Sequence, residues 1–83
     1  MYQVNLSNQA KKGLRRLDSR FRKKVIASLL LLKTNPLMGE KMGGEFLGAY
    51  RIKIPPARII YMPDFKKKII LVKVIGHRQG VYN

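Results

Sequence analysis

Near the end of this 83-residue chain, Val74-Ile75-Gly76-His77-Arg78-Gln79-Gly80-Val81-Tyr82 delivers an imidazole, a guanidinium and a phenol just after an apolar run that stops at a glycine. Upstream, Tyr50-Arg51-Ile52-Lys53-Ile54 and Ala57-Arg58-Ile59-Ile60-Tyr61 set basic residues among β-branched ones. Three separate pieces of chain can thus aim cations at one surface, and cations in that number suit phosphate.

Other chemistries are poorly supplied. The acids are Asp18, Glu40, Glu45 and Asp64 and the one imidazole is His77; no pair has metal-ligand spacing, so no metal or other cofactor is expected. Ser7, Ser19 and Ser28 fall in stretches that read as helical and lack the strand-to-helix elbow of a nucleophilic serine. Gly43-Gly44 precedes a strand-like stretch instead of coming after one, unlike a phosphate-binding loop. What remains is a set of cations with a phenol. RNA can be cleaved by such a set, because its own 2′-hydroxyl is the nucleophile. The protein has to remove that proton, stabilise charge on the phosphorane and see the leaving 5′-oxygen protonated. Arg51, Lys53, Arg58 and Arg78 suit the charge, and Tyr82 or His77 suits the proton. DNA lacks the internal nucleophile, so the same residues would bind it without cutting.

The charge balance agrees. Eighteen Lys and Arg against four acids give +14 and a pI near 10.7, the footprint of a protein that meets nucleic acid, the ribosome or another polyanion. The absence of cysteine excludes a disulfide framework and a thiolate metal site. The N-terminus has no basic start followed by an apolar stretch, and no apolar run approaches the ~20 residues that span a bilayer. These features lead to the expectation of a cytoplasmic protein without membrane attachment.

The elements that must position the cations can be read from periodicity. Tyr2 to Leu6 alternates as a half-buried strand. Ser7 or Asn8 can cap a helix over 8–17, with Ala10, Leu14 and Leu17 on one face and Lys11, Lys12, Arg15 and Arg16 on the other; Gly13 weakens it by up to ~1 kcal/mol relative to alanine. Asp18-Ser19 can cap a second helix with the stripe Phe21, Val25, Ile26, Leu29 and Leu32, ending near Asn35-Pro36. Leu29 to Leu32 wrap about 300° of its circumference, so either the first helix or a partner must cover part of them. Residues 37–44 read as a loop, with a strand starting near Phe46 or Leu47. In Tyr50 to Ile54, Tyr50, Ile52 and Ile54 face the helices and Arg51 and Lys53 the open side. Pro55-Pro56 turns the chain into a strand over 57–62, Pro63 to Lys66 make the next turn, and Lys68 to Ile75 reads as a central strand covered on both faces. The expectation is an α+β two-layer domain over 1–83: an N-terminal strand, a two-helix hairpin and a three-stranded antiparallel meander (β-α-α-β-β-β).

This order of elements, with the three basic segments quoted above, resembles the RelE/ParE superfamily of bacterial and archaeal toxins along essentially the whole chain. RelE-like members are mRNA interferases that cut messages in the ribosomal A site and are silenced by a cognate antitoxin that wraps the toxin. ParE-like members poison DNA gyrase. The resemblance implies a toxin of a type II toxin-antitoxin system acting as a metal-independent endoribonuclease on ribosome-bound mRNA, with a gyrase inhibitor or a non-cleaving RNA-binding relative as alternatives. It also implies that Arg51 and Lys53 are the basic pair on the strand after the helices, Arg58 the phosphate-stabilising arginine, Arg78 the arginine near the leaving group and Tyr82 the general base. Pro55-Pro56-Ala57 departs from the family, where a glycine, a polar residue and an aromatic commonly precede the arginine. The basic residues of the helices, Lys11, Lys12, Arg15, Arg16, Arg22, Lys23 and Lys24, would then hold RNA backbone of the ribosome.

Overall fold

The computed structural model describes residues 1–77. The chain runs β1 (Gln3–Leu6), α1 (Asn8–Arg16), α2 (Ser19–Leu32), β2 (Glu40–Lys41), a 3-10 turn (Gly44–Phe46), β3 (Tyr50–Ile54), β4 (Ala57–Asp64) and β5 (Ile69–His77). The expected α+β architecture is present, but the sheet has five strands in the order β1-β5-β4-β3-β2 and is mixed. β3, β4 and β5 form the antiparallel meander. β1 adds at the edge, parallel to β5, with Val4 opposite Ile70 and Leu6 opposite Val72. Residues 37–44 are not loop throughout, since β2 pairs antiparallel with β3. No strand begins at Phe46 or Leu47; the chain makes a 3-10 turn there and enters β3 only at Tyr50.

Both helices start at the caps read from the sequence. The Ser7 hydroxyl accepts from the Ala10 amide at 3.0 Å and donates to the Lys73 carbonyl at 2.6 Å, so one side chain closes the first turn of α1 and ties it to β5. The Asp18 carboxylate accepts from the Arg20 amide at 3.0 Å, which holds its pKa below the ordinary 3.8. Arg22 reaches back to the other end of α1, donating from Nη2 to the Leu17 carbonyl at 2.9 Å and from Nε to the Leu14 carbonyl at 3.3 Å. A guanidinium there satisfies carbonyls that the ending helix leaves open.

The core lies between the helices and one face of the sheet. Ala10, Leu17, Val25, Leu29 and Leu32 meet Tyr50, Ala57, Ile59, Tyr61, Ile70, Val72 and Ile75. α1 packs chiefly on β5 and β1, and α2 on α1 and β3. Because α1 lies down on β5, it does not shield the outer side of α2. Leu30 and Leu31 are 58% and 57% exposed, and Ile26 of the expected stripe is 42% exposed.

β5 is not covered on both faces. Its register against β4 shifts between Ile60 and Tyr61, which pair with Val74 and Val72 and leave Lys73 as a bulge. The bulge changes the phase of alternation. Ile70, Val72 and Ile75 all point into the core, while Leu71, 40% exposed, falls on the open face. The strand also continues through Gly76 to His77 instead of stopping at the glycine.

At Gly13 the backbone of α1 comes directly against the backbone of β5. A Cβ built on this glycine overlaps the carbonyl oxygen of Ile75. The glycine that weakens α1 by local propensity is therefore what lets the helix backbone lie on β5. Gly13→Ala is expected to destabilise the fold by about 3 kcal/mol, the upper range for overpacking, although alanine is the better helix former by ~1 kcal/mol. Urea unfolding checks this, and an unchanged or raised midpoint would show that α1 does not sit so close.

Candidate phosphate-binding face

Strand pairing decides which cations share a face. Lys53 pairs with Arg58, Arg58 with Gly76, and Arg51 with Ile60. Directly paired residues point to the same side of a sheet, so Arg51, Lys53 and Arg58 lie together on the face away from the helices. Tyr50, Ile52 and Ile54 take the helix side with their partners Tyr61, Ile59 and Ala57. Gly76, opposite Arg58, contributes no side chain to the open face. The two-residue turn at Pro55-Pro56, whose peptide bond is cis, sets the Lys53–Arg58 pairing at the end of the hairpin.

The open face is not wholly bare. Ile60 lies beside the cations and is only 3% exposed. Glu45, Phe46, Leu47 and Ala49 line a concavity with Ile60, Met62 and Val74, so the 3-10 segment covers this part of the sheet. Leu47, at its tip, is 81% exposed.

Glu40 on β2 pairs with Arg51, and its carboxylate stands between two of the cations. Arg51 Nη2 donates to Oε2 at 3.3 Å, and Lys53 Nζ lies 3.8 Å from Oε1. Nothing in the sequence singles this acid out, because it sits in a glycine-rich stretch too short to display alternation.

His77 is placed elsewhere. It pairs with Ala57, a helix-side residue, and lines a separate concavity with Gln9, Lys12, Gly13 and Arg16 against α1. The structure therefore does not bring His77 together with Arg51, Lys53 and Arg58. Arg78 and Tyr82 lie outside the described residues. Of the basic helix set, Lys11, Lys12, Arg15, Arg16, Lys23 and Lys24 are exposed, whereas Arg22 is half-buried and bonded to α1 carbonyls. Among the described residues no three of His, Cys, Asp and Glu cluster as metal ligands, and no helix is long and apolar enough to cross a membrane.

The loop that brings in β2 is fixed by a buried phenol. The Tyr61 hydroxyl donates to the Pro36 carbonyl at 2.9 Å and accepts from the Gly39 amide at 3.0 Å, and its ring stacks on Tyr50 at 5.6 Å. Burial pushes the phenol pKa above the ordinary 10.0, against a smaller lowering by the Gly39 amide.

The fold is shared with solved toxin structures. Over 93% of this chain and 98% of the other, it superposes on a chain of the RelBE2 toxin-antitoxin complex of Mycobacterium tuberculosis, with TM-score 0.84 and 23% identity. The isolated RelE toxin of E. coli gives 0.80 at 22% identity, over 93% of this chain and 84% of that one. The archaeal RelE–RelB complex of Pyrococcus horikoshii gives 0.76 at 23% identity, over 93% and 94%. A protein of Methanocaldococcus jannaschii, named as a candidate toxin RelE1, is 29% identical over 98% of this chain and 94% of its own length. The family model described as the ParE toxin of the type II toxin-antitoxin system matches residues 4–82. The chain belongs to that toxin family, within the RelE/ParE superfamily.

Removing the Tyr61 hydroxyl tests the anchor. Tyr61→Phe leaves the Pro36 carbonyl and Gly39 amide without their partner and is expected to cost about 1–3 kcal/mol, a fall in Tm on the order of 4–20 °C for a domain of this size. The raised pKa means that this phenol's contribution is complete below pH 10 and is lost as the pH climbs through the folded-state value. The alkaline loss of stability should therefore be shallower in Tyr61→Phe, as thermal melts across pH would record.

Proposed function

We propose that this toxin is a ribosome-dependent endoribonuclease that cleaves mRNA and so inhibits translation. The observation that carries the reading is the register that sets Arg51, Lys53 and Arg58 on one face of the sheet. In the proposed reaction the 2′-hydroxyl attacks the adjacent phosphorus and passes its proton to the Tyr82 oxygen. The P–O5′ bond breaks, a 2′,3′-cyclic phosphate forms and the leaving 5′-oxygen takes a proton from water. Arg51, Lys53, Arg58 and Arg78 stabilise the charge that builds on the phosphorane. A free phenol is almost fully protonated at neutral pH, so Tyr82 serves as base only with cations around it. Arginine, with a pKa above 12, is a poor proton donor, which is why Arg78 is given charge stabilisation.

A cognate antitoxin is the proposed partner that silences the toxin, with Ile26, Leu30 and Leu31 of α2 as apolar surface for it to cover. The ribosome and its bound mRNA are the other partners. Lys11, Lys12, Arg15, Arg16, Lys23 and Lys24 are proposed to hold ribosomal RNA backbone. Arg22 belongs to the capping of α1.

A second reading is favoured by the name of the matching family, a ParE toxin: inhibition of DNA gyrase without RNA cleavage. The two separate in one pair of assays. Single-turnover cleavage on saturated ribosomes should survive EDTA once ribosome integrity is controlled, yield a cyclic phosphate and stop when the cut site is 2′-deoxy. Arg58→Ala should slow it ~10²- to 10³-fold, as loss of one charge-stabilising donor does, and Tyr82→Phe ~10²- to 10⁴-fold, as loss of a general base does. Inhibition of gyrase supercoiling with no RNA cut would select the second reading.

The helix faces make a different prediction. Neutralising Lys11, Lys12, Arg15 and Arg16 together should weaken ribosome binding and flatten its salt dependence while leaving the cut positions unchanged. Quantitative ribosome pelleting with mapping of the cleavage sites checks both. Altered cut positions with unchanged binding would contradict it.

A further inference from the structure

Two ion pairs on the open face share one carboxylate. Glu40 meets both Arg51 and Lys53, two of the four cations to which the proposed function assigns the RNA phosphate. It is one of only four acids against eighteen Lys and Arg. Glu45, five residues on in the same connecting segment, makes no ion pair among the described residues.

Glu40 is delivered by built structure. Gly39, the preceding residue, approaches so closely that a Cβ on it would stand 2.7 Å from the Arg51 carbonyl oxygen and 2.8 Å from the Tyr61 hydroxyl. Its amide donates to that hydroxyl at 3.0 Å, and Glu40 then enters the ladder opposite Arg51. Exposed ion pairs on long, freely rotating side chains contribute little. The Glu40 pairs are partly exposed too, with the Glu40 side chain 60% and that of Lys53 43% accessible, so a phosphate can displace the carboxylate. The backbone beneath it is fixed, and its two oxygens each take a separate cation, as two oxygens of a phosphate would.

We propose that Glu40 is an intramolecular occupant of the phosphate site, which pairs with Arg51 and Lys53 in the free protein and is displaced when a nucleic-acid phosphate binds. The inference rests on the reading that Arg51 and Lys53 bind phosphate. It gives the free toxin a built-in restraint: a phosphodiester must compete with a carboxylate already in place, so weak encounters with stray RNA are disfavoured relative to strands held on the site by other contacts. Displacement also alters the salt dependence. With Glu40 in place, part of the charge on the two cations is balanced by the protein instead of by salt ions, and fewer counterions are released on binding.

The test is the affinity of the whole chain for a single-stranded DNA oligonucleotide, which carries the phosphates but has no 2′-hydroxyl to be cut, measured by fluorescence anisotropy over a range of NaCl. Glu40→Gln keeps the shape of the side chain and is expected to bind ~3- to 10-fold more tightly, the effect of removing one nearby like charge from a partly exposed site. The slope of log K against log salt should steepen by ~0.7, one further cation neutralised on a single strand. Glu45→Gln, with the same change in net charge, should move affinity far less. Arg51→Ala should weaken binding. If Arg51→Ala binds like the wild type, the phosphate reading itself fails and this inference with it. If Arg51→Ala weakens binding while Glu40→Gln does not tighten it, or if Glu45→Gln tightens it equally, the inference alone is overturned. Loss of ribosome-dependent cleavage in Glu40→Gln with DNA affinity unchanged would likewise overturn it, and would make the carboxylate a participant in proton transfer.

Discussion

Among the described residues two helices cover a five-stranded sheet, and they cover one face of it. The two faces of the sheet are therefore built for different surroundings. α1 lies flat on β5 through Gly13, α2 fills the space over β3, and the apolar side chains of β3, β4 and β5 gather beneath them. The opposite face must be tolerable to water or to a ligand. Part of it is capped by the 3-10 segment over Ile60, and beside that cap the strands present Arg51, Lys53 and Arg58. Strand register fixes which face the three side chains leave from and how far apart their backbones stand.

Holding like charges together has an energetic consequence. With a net charge of +14 and few acids to offset it, neighbouring cations repel one another, and the repulsion is relieved by an anion. Glu40 supplies one from within, on a strand too short to persist by itself. β2 is kept in place by its ladder to β3 and by the Tyr61 hydroxyl, which fixes Pro36 and Gly39 just before it. A phenol in the core thus helps determine the electrostatics of a surface on the other side of the sheet.

Much of this is legible in the sequence where periodicity has room to show. Tyr50 to Ile54 is long enough for alternation to separate Arg51 and Lys53 from the core, and Ser7 and Asp18 announce their helices by type and position. The rest depends on contacts between distant segments. The run from Lys68 to Ile75 looks buried on both sides because apolar residues also stand on the open face, as Leu71 does, while the bulge at Lys73 shifts the phase so that Ile75 joins Ile70 and Val72 in the core. β2 spans two residues, so no period marks it, and its pairing with β3 is tertiary. Gly13 reads as a flaw in a helix until Ile75 is placed beneath it. The helical spacing of Leu30 and Leu31 does not reveal that α1 lies on β5 and leaves them bare. Proximity to Arg78 in the sequence makes His77 look like a neighbour of the cations, yet one step of strand alternation puts it on the helix side.

The central claim is that Arg51, Lys53 and Arg58 form one phosphate-binding surface on the face away from the helices. The most direct measurement is an NMR titration of the isotopically labelled toxin with an RNA oligonucleotide carrying a 2′-deoxy substitution at its cut site, tracking side-chain guanidinium and ammonium signals as well as backbone amides. The account predicts that the largest changes fall on Arg51, Lys53 and Arg58, with the backbone of Gly76 moving alongside and the helix-side residues Tyr50 and Ile59 nearly still. Perturbations concentrated on α1 and α2, with the three strand cations unmoved, would contradict it.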